Sequence, residues 1–154
     1  MAHVGVHCML ELYGCDKAKL DDVGFLTSAL RECAEHAGAT FLGELQHRFT
    51  PVGVTCLGLL AESHISIHTW PEIGYAAADC FTCGDAAMPE KACHKLAEMV
   101  GAARSSLVKI PRAAQLNKLD VEGVDPNEAH MSAEGLELHA FEHALPNEAT
   151  VETA

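Results

Sequence analysis

The sequence predicts an α+β fold: a two-layer sandwich whose antiparallel sheet is covered on one face by two helices. Three observations point to it, namely six strand-like segments, two amphipathic helical segments, and connections of only a few residues between most of the strands. Short connections favour antiparallel pairing, because a parallel crossover needs a dozen or more residues. The predicted order of elements is β-α-β-β-β-β-α-β, which is typical of this class.

The N-terminal part of the chain is predicted to contain one strand followed by one helix. Residues 4–13 are rich in apolar and β-branched side chains and end at a turn formed by residues 14–16. Asp16 is suited to cap a helix, and Gly38 is suited to end it. Between them, apolar residues recur at spacings of three and four, at Leu20, Val23, Leu26, Leu30, Cys33 and Ala37. This periodicity indicates one buried helical face.

Four successive strands are predicted next, over residues 39–49, 52–60, 63–70 and 75–82, separated by turn residues at 50–51, 61–62 and 71–74. Pro89 suits the first turn of a second helix. The apolar stripe of that helix consists of Leu96, Met99, Val100 and Ala103. A last strand is expected over residues 105–110, stopped by Pro111. Because both helices cover one face of the sheet, we expect the other face to be open to a partner.

The charge distribution divides the chain into one domain over residues 1–115 and an acidic, partly ordered extension over residues 116–154. Nine of the 22 acidic residues lie from Asp120 onward, and no Lys or Arg follows Lys118. With ten basic and thirteen acidic residues, residues 1–119 carry a formal charge of only −3 out of the total of −12. A short helix near residues 132–144 is expected within the extension.

Composition and charge exclude several classes of function. A formal net charge of −12 argues against nucleic-acid binding, since a phosphate-binding surface requires clustered Lys and Arg. No apolar run approaches the roughly 18 to 20 residues that a membrane helix needs. The seven cysteines are odd in number and irregularly spaced, and no secretory signal opens the chain. We therefore expect a cytoplasmic protein with reduced thiols.

Reactive side chains are concentrated between residues 61 and 85, and two generic interpretations of them are weak. His64, His68, Cys80 and Cys83 have the spacing of zinc ligands, but both pairs fall in strand-like runs, where Cys80 and Cys83 point to opposite faces. No metal site is therefore predicted. A cysteine hydrolase built on Cys83 and His68 lacks an Asn or Asp at a known spacing to orient the imidazole. We expect Cys80 to be a core residue and His64 to be a neighbour of the site rather than a catalyst.

A third interpretation treats the bond between Glu62 and Ser63 as self-cleaving. A serine in a strained turn can attack the preceding carbonyl and shift the acyl group from nitrogen to oxygen. If a base then removes the serine α-proton, the ester leaves by β-elimination, and the new amino terminus hydrolyses to a pyruvoyl group. Such a ketone forms a Schiff base with a substrate amine and accepts electrons as carbon dioxide departs.

Several motifs closely resemble the prokaryotic S-adenosylmethionine decarboxylase proenzymes. The longest run is ESHISIHTWPE at residues 62–72, followed by GYAA at 74–77 and FTCG at 81–84. The resemblance extends to GVHCMLELYGCD at residues 5–16, to HRF at 47–49, and to Pro51 and Gly53-Val54, so it covers roughly residues 4–112. It implies that residues 1–115 form a decarboxylase-like domain, whereas the extension exceeds the short bacterial form.

The resemblance implies a role for each matching residue. Ser63 would become the pyruvoyl cofactor after cleavage behind Glu62, which leaves chains of 62 and 92 residues. His68 would be the base of the processing step, and Cys83 the acid that reprotonates the substrate carbon. Phe49 and His68 would surround the adenine or sulfonium end of the substrate, where an aromatic face suits a cation. Glu72 would bind the ribose hydroxyls, and Thr55 stands where many relatives carry a serine that assists processing and contacts the substrate.

The activity implied is conversion of S-adenosylmethionine to decarboxylated S-adenosylmethionine for polyamine (spermidine) biosynthesis, by a homodimer with each site near the interface between protomers. Two alternatives stay open. A pyruvoyl-dependent arginine or ornithine decarboxylase would use the same scaffold, although Phe49 and Glu72 favour the nucleoside substrate. A non-catalytic binding subunit would leave the chain uncut, although it has no chemical reason to retain Ser63, His68 and Cys83 together.

Overall fold

A seven-stranded antiparallel sheet with helices on one face forms the structure, a computed structural model in which residues 4–113 and 120–122 are described. The strands are β1 (Gly5–Tyr13), β2 (Phe41–Arg48), β3 (Val54–Leu60), β4 (Ser63–Trp70), β5 (Tyr75–Cys83), β6 (Arg104–Arg112) and β7 (Asp120–Glu122). The helices are α1 (Lys17–Leu20), α2 (Val23–His36) and α3 (Pro89–Met99), with a short 3₁₀ helix over Pro71–Ile73. The predicted α+β sandwich is confirmed.

The strand order across the sheet is β2-β3-β4-β5-β1-β6-β7, and all neighbours are antiparallel. Hairpins join β2, β3, β4 and β5 in sequence. The first strand of the chain, β1, is inserted between β5 and β6. This insertion pairs Cys8 with Cys80 and places the residues of β1 beside the end of the predicted reactive segment.

The predicted first helix is wrong in one respect, because the structure has two helices there. Asp16 caps α1, its Oδ1 accepting the backbone N–H groups of Ala18 (2.9 Å) and Lys19 (3.2 Å). Asp22 caps α2 by accepting the N–H of Phe25 (2.9 Å). Each aspartate accepts hydrogen bonds from helical N–H groups that would otherwise lack a partner. The first helix therefore ends before Asp22, and a second helix begins after it.

The C-terminal part of the sheet extends further than predicted. The strand β6 continues through Pro111, which pairs in register with Val6 of β1. The pairing of β7 with β6 ends at Lys109, so no described strand lies on the other side of Pro111, a position at which proline is tolerated. The predicted helix near residues 132–144 lies outside the described residues, and the division at residues 115 and 116 stays a prediction.

The core lies between the sheet and the helices. Alternate strand residues point toward α2 and α3, as the period of two requires, and meet the apolar stripes of those helices. The largest fully buried side chains include Leu12, Ile65 and Ile67 from the sheet and Leu26, Leu30 and Leu96 from the helices. Among the described residues, none of the helices has the length and apolar content that a membrane-spanning helix requires.

The opposite face of the sheet, which we call the open face, carries no helix among the described residues. Large apolar side chains are exposed on it: Met9, Tyr13, Leu45, Leu57, Leu59 and Trp70. Leu45 is 75% exposed and Leu59 is 59% exposed. The alternate positions of β3, such as Cys56 and Leu60, face the helices and are buried. An exposed apolar surface of this kind is typical of a surface that binds a partner.

Candidate active site

The bond between Glu62 and Ser63 lies at the tight turn that joins β3 to β4. Ser63 is the first residue of β4 and has a φ of 152°, one of two positive values among the described non-glycine residues. Residues other than glycine rarely adopt this backbone conformation, and a residue held in it is strained. Cross-strand pairing with Leu60 and Thr82 holds Ser63 in this conformation.

Both the backbone and the side chain of Glu62 are fixed by hydrogen bonds. The carbonyl oxygen of Glu62 accepts the backbone N–H of Cys83 at 2.8 Å. The Glu62 carboxylate accepts the backbone N–H of Thr40 at 2.9 Å. Cys83 is the last residue of β5, and its thiol is exposed. The pairing of β4 with β5 therefore brings Ser63, the carbonyl of Glu62 and Cys83 together.

A hydrogen-bonded network on the open face begins at the Ser63 hydroxyl. The Ser63 Oγ lies 3.4 Å from His64 Nδ1, and His64 Nε2 lies 2.7 Å from Asp79 Oδ2. The same carboxylate oxygen lies 2.6 Å from His7 Nε2, and the other oxygen accepts the Ser66 hydroxyl. Burial alone would raise the pKa of Asp79, but the hydrogen bonds from His7, Ser66 and His64 lower it below its ordinary value.

Sequence reasoning missed His7 and Asp79 and assigned no chemistry to His64. Strand alternation does place His64 and Ser66 on one face of β4. The contact of His7 with Asp79 depends on β1 being inserted beside β5, a pairing across 72 residues that no local pattern encodes. The nitrogens of the two imidazoles and a carboxylate oxygen lie within 4.8 Å of one another, which is also a spacing suited to a metal ion.

The remaining predicted residues form a second group at the far end of β4. Thr55 and His68 are cross-strand partners, with Thr55 Oγ1 2.9 Å from His68 Nδ1. Phe49 follows β2 and is half exposed, and its ring meets that of His47 edge to face with centroids 4.6 Å apart. Glu72 lies in the 3₁₀ helix directly after β4 and is exposed.

The structure therefore separates the predicted site into two clusters. Around the predicted cleavage site lie Glu62, Ser63, His64, Asp79 and Cys83, which we call the scissile cluster, and the His68 cluster consists of Phe49, Thr55, His68 and Glu72. His68 lies five residues after Ser63 on one strand, about 16 Å away for a rise of 3.3 Å per residue. One chain does not bring His68 to Ser63.

The zinc arrangement considered from the sequence is excluded by the same geometry. His64 and His68 lie four residues apart along β4, roughly 13 Å, which is too far for both to bind one ion. Cys80 is buried in the core and Cys83 is exposed at the end of the strand, so the two sulfurs face different environments. Cys80 is a core residue, as predicted.

Comparison with known proteins gives a consistent result. A family model described as S-adenosylmethionine decarboxylase matches residues 6–113. The chain is 60% identical over 114 residues to the S-adenosylmethionine decarboxylase proenzyme of Synechococcus sp. (strain WH7803), covering 71% of this chain and 89% of that protein. It is 43% identical to the proenzyme of Methanococcus aeolicus, covering 75% and 99%. The crystal structure of the adenosylmethionine decarboxylase from Aquifex aeolicus VF5 superimposes with a TM-score of 0.69 at 33% identity, covering 77% of this chain and 98% of that one.

Proposed function

Because the chain belongs to the S-adenosylmethionine decarboxylase family, a family of lyases, we propose that it cleaves itself between Glu62 and Ser63 and then decarboxylates S-adenosylmethionine. The product, decarboxylated S-adenosylmethionine, serves spermidine biosynthesis. The observation that carries the proposal is the geometry of the bond to be cut: a strained serine whose preceding carbonyl is already held by a hydrogen bond. Strain in the intact chain offsets part of the cost of forming an ester.

The surroundings of Ser63 fit a pyruvoyl group at this position. Cleavage falls in the turn between β3 and β4, so it leaves both strands whole on either side of the cut. The pyruvoyl group supplies a ketone that accepts electrons as carbon dioxide departs. Cys83, the last residue of β5, lies beside this group. Its exposed thiol is the proposed proton donor to the substrate carbon.

The proposed substrate-binding residues belong to the His68 cluster. Phe49 presents an exposed aromatic face that suits the sulfonium or the adenine. Glu72, an exposed carboxylate, suits the ribose hydroxyls as an acceptor. The hydrogen bond between Thr55 and His68 fixes the imidazole, and the threonine provides the hydroxyl that a serine provides in many relatives.

We propose a homodimer in which the open faces of two protomers pack together. Two observations support it: the apolar side chains exposed on that face, and the separation of the two clusters along β4. A two-fold axis that places β4 antiparallel to β4 of the second protomer brings the scissile cluster of each chain to the His68 cluster of the other. The dimer then contains two such sites. His68 of the second protomer then acts as the base that removes the Ser63 α-proton.

A cytoplasmic location is part of the proposal. All seven cysteines are free, six of them buried and one exposed. Thiols that are kept reduced are typical of proteins in a reducing compartment.

Intact mass under denaturing conditions tests the proposal. Wild-type protein is expected to give two chains of 62 and 92 residues, the larger without its amino nitrogen, whereas Ser63→Ala stays whole. Carbon dioxide release is then compared for S-adenosylmethionine, arginine and ornithine, with release from the first alone expected. A wild-type chain that stays whole on long incubation would remove the cofactor and leave the binding-subunit hypothesis. Carbon dioxide release from arginine or ornithine alone would overturn the assignment of S-adenosylmethionine as the substrate.

A further inference from the structure

We propose that His64 is the general base that removes the Ser63 hydroxyl proton in the first step of self-cleavage, and that the backbone N–H of Cys83 stabilises the oxyanion formed on Glu62. The inference rests on the proposed cleavage between Glu62 and Ser63 and assigns residues to its first step. It gives a catalytic role to His64, which the sequence predicts to be a neighbour of the site rather than a catalyst.

The hydrogen-bond partners of His64 determine which ring nitrogen carries the proton. An ionised carboxylate only accepts hydrogen bonds, so at 2.7 Å from Asp79 Oδ2 the Nε2 of His64 must be the donor. The lowered pKa of Asp79 keeps the carboxylate ionised. In a neutral imidazole the other nitrogen then has a free lone pair. That nitrogen, Nδ1, is the one that lies 3.4 Å from the Ser63 Oγ.

The separation of 3.4 Å is long for a hydrogen bond, yet it suits a resting state. Bonds between nucleophile and base are often loose before the reaction and tighten as it proceeds. The order carboxylate, imidazole, hydroxyl is the arrangement that activates a serine for attack on a carbonyl.

The first step balances with these groups alone. The Ser63 hydroxyl proton passes to His64 Nδ1 as the Oγ bonds to the carbonyl carbon of Glu62. The carbonyl electron pair moves onto the oxygen, which the N–H of Cys83 already meets at 2.8 Å. The carbon–nitrogen bond then breaks, and the amine of Ser63 takes the proton back from His64. The products are an ester and a free amine, with no redox change.

Asp79 is a positioning residue, because it contacts His64 and not the reacting atoms. Its two oxygens accept hydrogen bonds from three side chains, which hold the carboxylate in place. The side chain of Arg112 only donates, so at 3.1 Å from Nδ1 of His7 it fixes the proton of that ring on Nε2, facing Asp79. His7 thus supports Asp79 without reaching Ser63.

This assignment separates the two proton transfers of self-cleavage. His64 lies beside the Ser63 hydroxyl in the same chain, whereas His68 lies about 16 Å along β4 and belongs to the proposed second step. Loss of His64 therefore blocks formation of the ester, and loss of His68 blocks its elimination.

Single-turnover cleavage of freshly made proenzyme, followed by intact mass, tests the assignment. His64→Ala is expected to slow cleavage at least about hundredfold, the usual contribution of a general base. Added imidazole should restore part of the rate by filling the space of the lost ring. Asp79→Asn should be roughly tenfold slower, His7→Gln only a few-fold slower, and the exposed His36→Ala on α2 unchanged. His64→Gln, which keeps a polar side chain of similar length, replaces His64→Ala if circular dichroism shows that the alanine variant is unfolded.

Hydroxylamine distinguishes the two steps, because it cleaves esters and not amides. A His68→Ala proenzyme that accumulates the ester should be cut after Glu62 by hydroxylamine, whereas folded His64→Ala, which forms no ester, should resist it. Cleavage of His64→Ala at the wild-type rate, or absence of imidazole rescue, would overturn the inference. So would loss of wild-type cleavage on chelation with EDTA, since that would assign His7, His64 and Asp79 to a metal ion. A wild-type chain that never cuts would instead overturn the proposed function itself.

Discussion

At the scale of single residues, the reactive thiol should be distinguishable from the structural ones. Cys83 is exposed, and the other six cysteines are buried. Burial raises the pKa of Cys15 to about 11 and of Cys33 to about 12, so these groups stay protonated, and poorly nucleophilic, at pH 8. We expect a thiol reagent to label one site per folded chain at pH 8, with Cys83→Ser removing it. Rapid labelling of a second cysteine in the folded protein would contradict this.

The Thr55 hydroxyl should matter more than its methyl group. Thr55→Ser keeps the hydrogen bond to His68 and should stay within a few-fold of the wild-type decarboxylation rate. Thr55→Val keeps the shape but removes the 2.9 Å hydrogen bond. It should lower the rate at least about tenfold, since an imidazole that loses a partner worth about 1 kcal/mol is held less firmly. Equal rates for the two variants, measured by carbon dioxide release, would exclude a role for this bond.

At the scale of elements, Asp79 joins three adjacent strands through hydrogen bonds to β4 and β1. Because its folded-state pKa is lowered, the stability it contributes is full above the unfolded value of about 4 and is lost as the pH falls below that value. We expect Asp79→Asn to reduce the free energy of unfolding by on the order of 2 kcal/mol at pH 6.

Urea unfolding at pH 6, 4 and 3 measures this effect in chains that all carry Ser63→Ala and therefore stay uncut, and the difference between the otherwise wild-type chain and Asp79→Asn should shrink toward pH 3. Asp85→Asn, which changes an exposed carboxylate in the loop after β5, serves as the matched control and should differ little from wild type at any of these values. A difference for Asp79→Asn that grows as the pH falls would have the wrong sign for a lowered pKa.

The elements also show what the sequence predicts and what it leaves open. Every predicted strand exists because period-two alternation at positions such as Ile65 and Ile67 is a local property. The break at Asp22 was missed, since the apolar spacing continues across it. The pairing of His7 with Asp79 was missed for a different reason: it depends on which strands become neighbours, and that is set by the packing of the whole sheet.

At the scale of the whole molecule, the proposed dimer predicts complementation between two inactive variants. His68→Ala keeps its scissile cluster, and Cys83→Ala keeps its His68 cluster, so a mixed dimer contains one complete site and one site with both defects. Mixed dimers, isolated by two different affinity tags, should have about half of the wild-type activity, while each variant alone has almost none. Inactive mixed dimers would show that each site is built within one chain.

The separation of Ser63 from His68 is the point at which proximity in sequence misleads. The two residues lie within one motif, yet they lie toward opposite ends of the extended strand β4. Local spacing is a good guide to contact on a helix, where residues three or four apart are neighbours, and a poor one on a strand.

The insertion of β1 between β5 and β6 has a consequence for the refolding of the protein if it is cut at the proposed site between Glu62 and Ser63. The proposed 62-residue chain would supply β1, β2 and β3, and the proposed 92-residue chain would supply β4 to β7, so strands of the two products would alternate within one sheet. The strands of each product would be separated in the sheet by strands of the other product. The uncut chain folds as one molecule, whereas the cut protein, once unfolded, would have to reassemble from two chains that meet in solution. The proposed cut would therefore turn a first-order folding reaction into a second-order one, whose rate depends on the concentrations of the two chains.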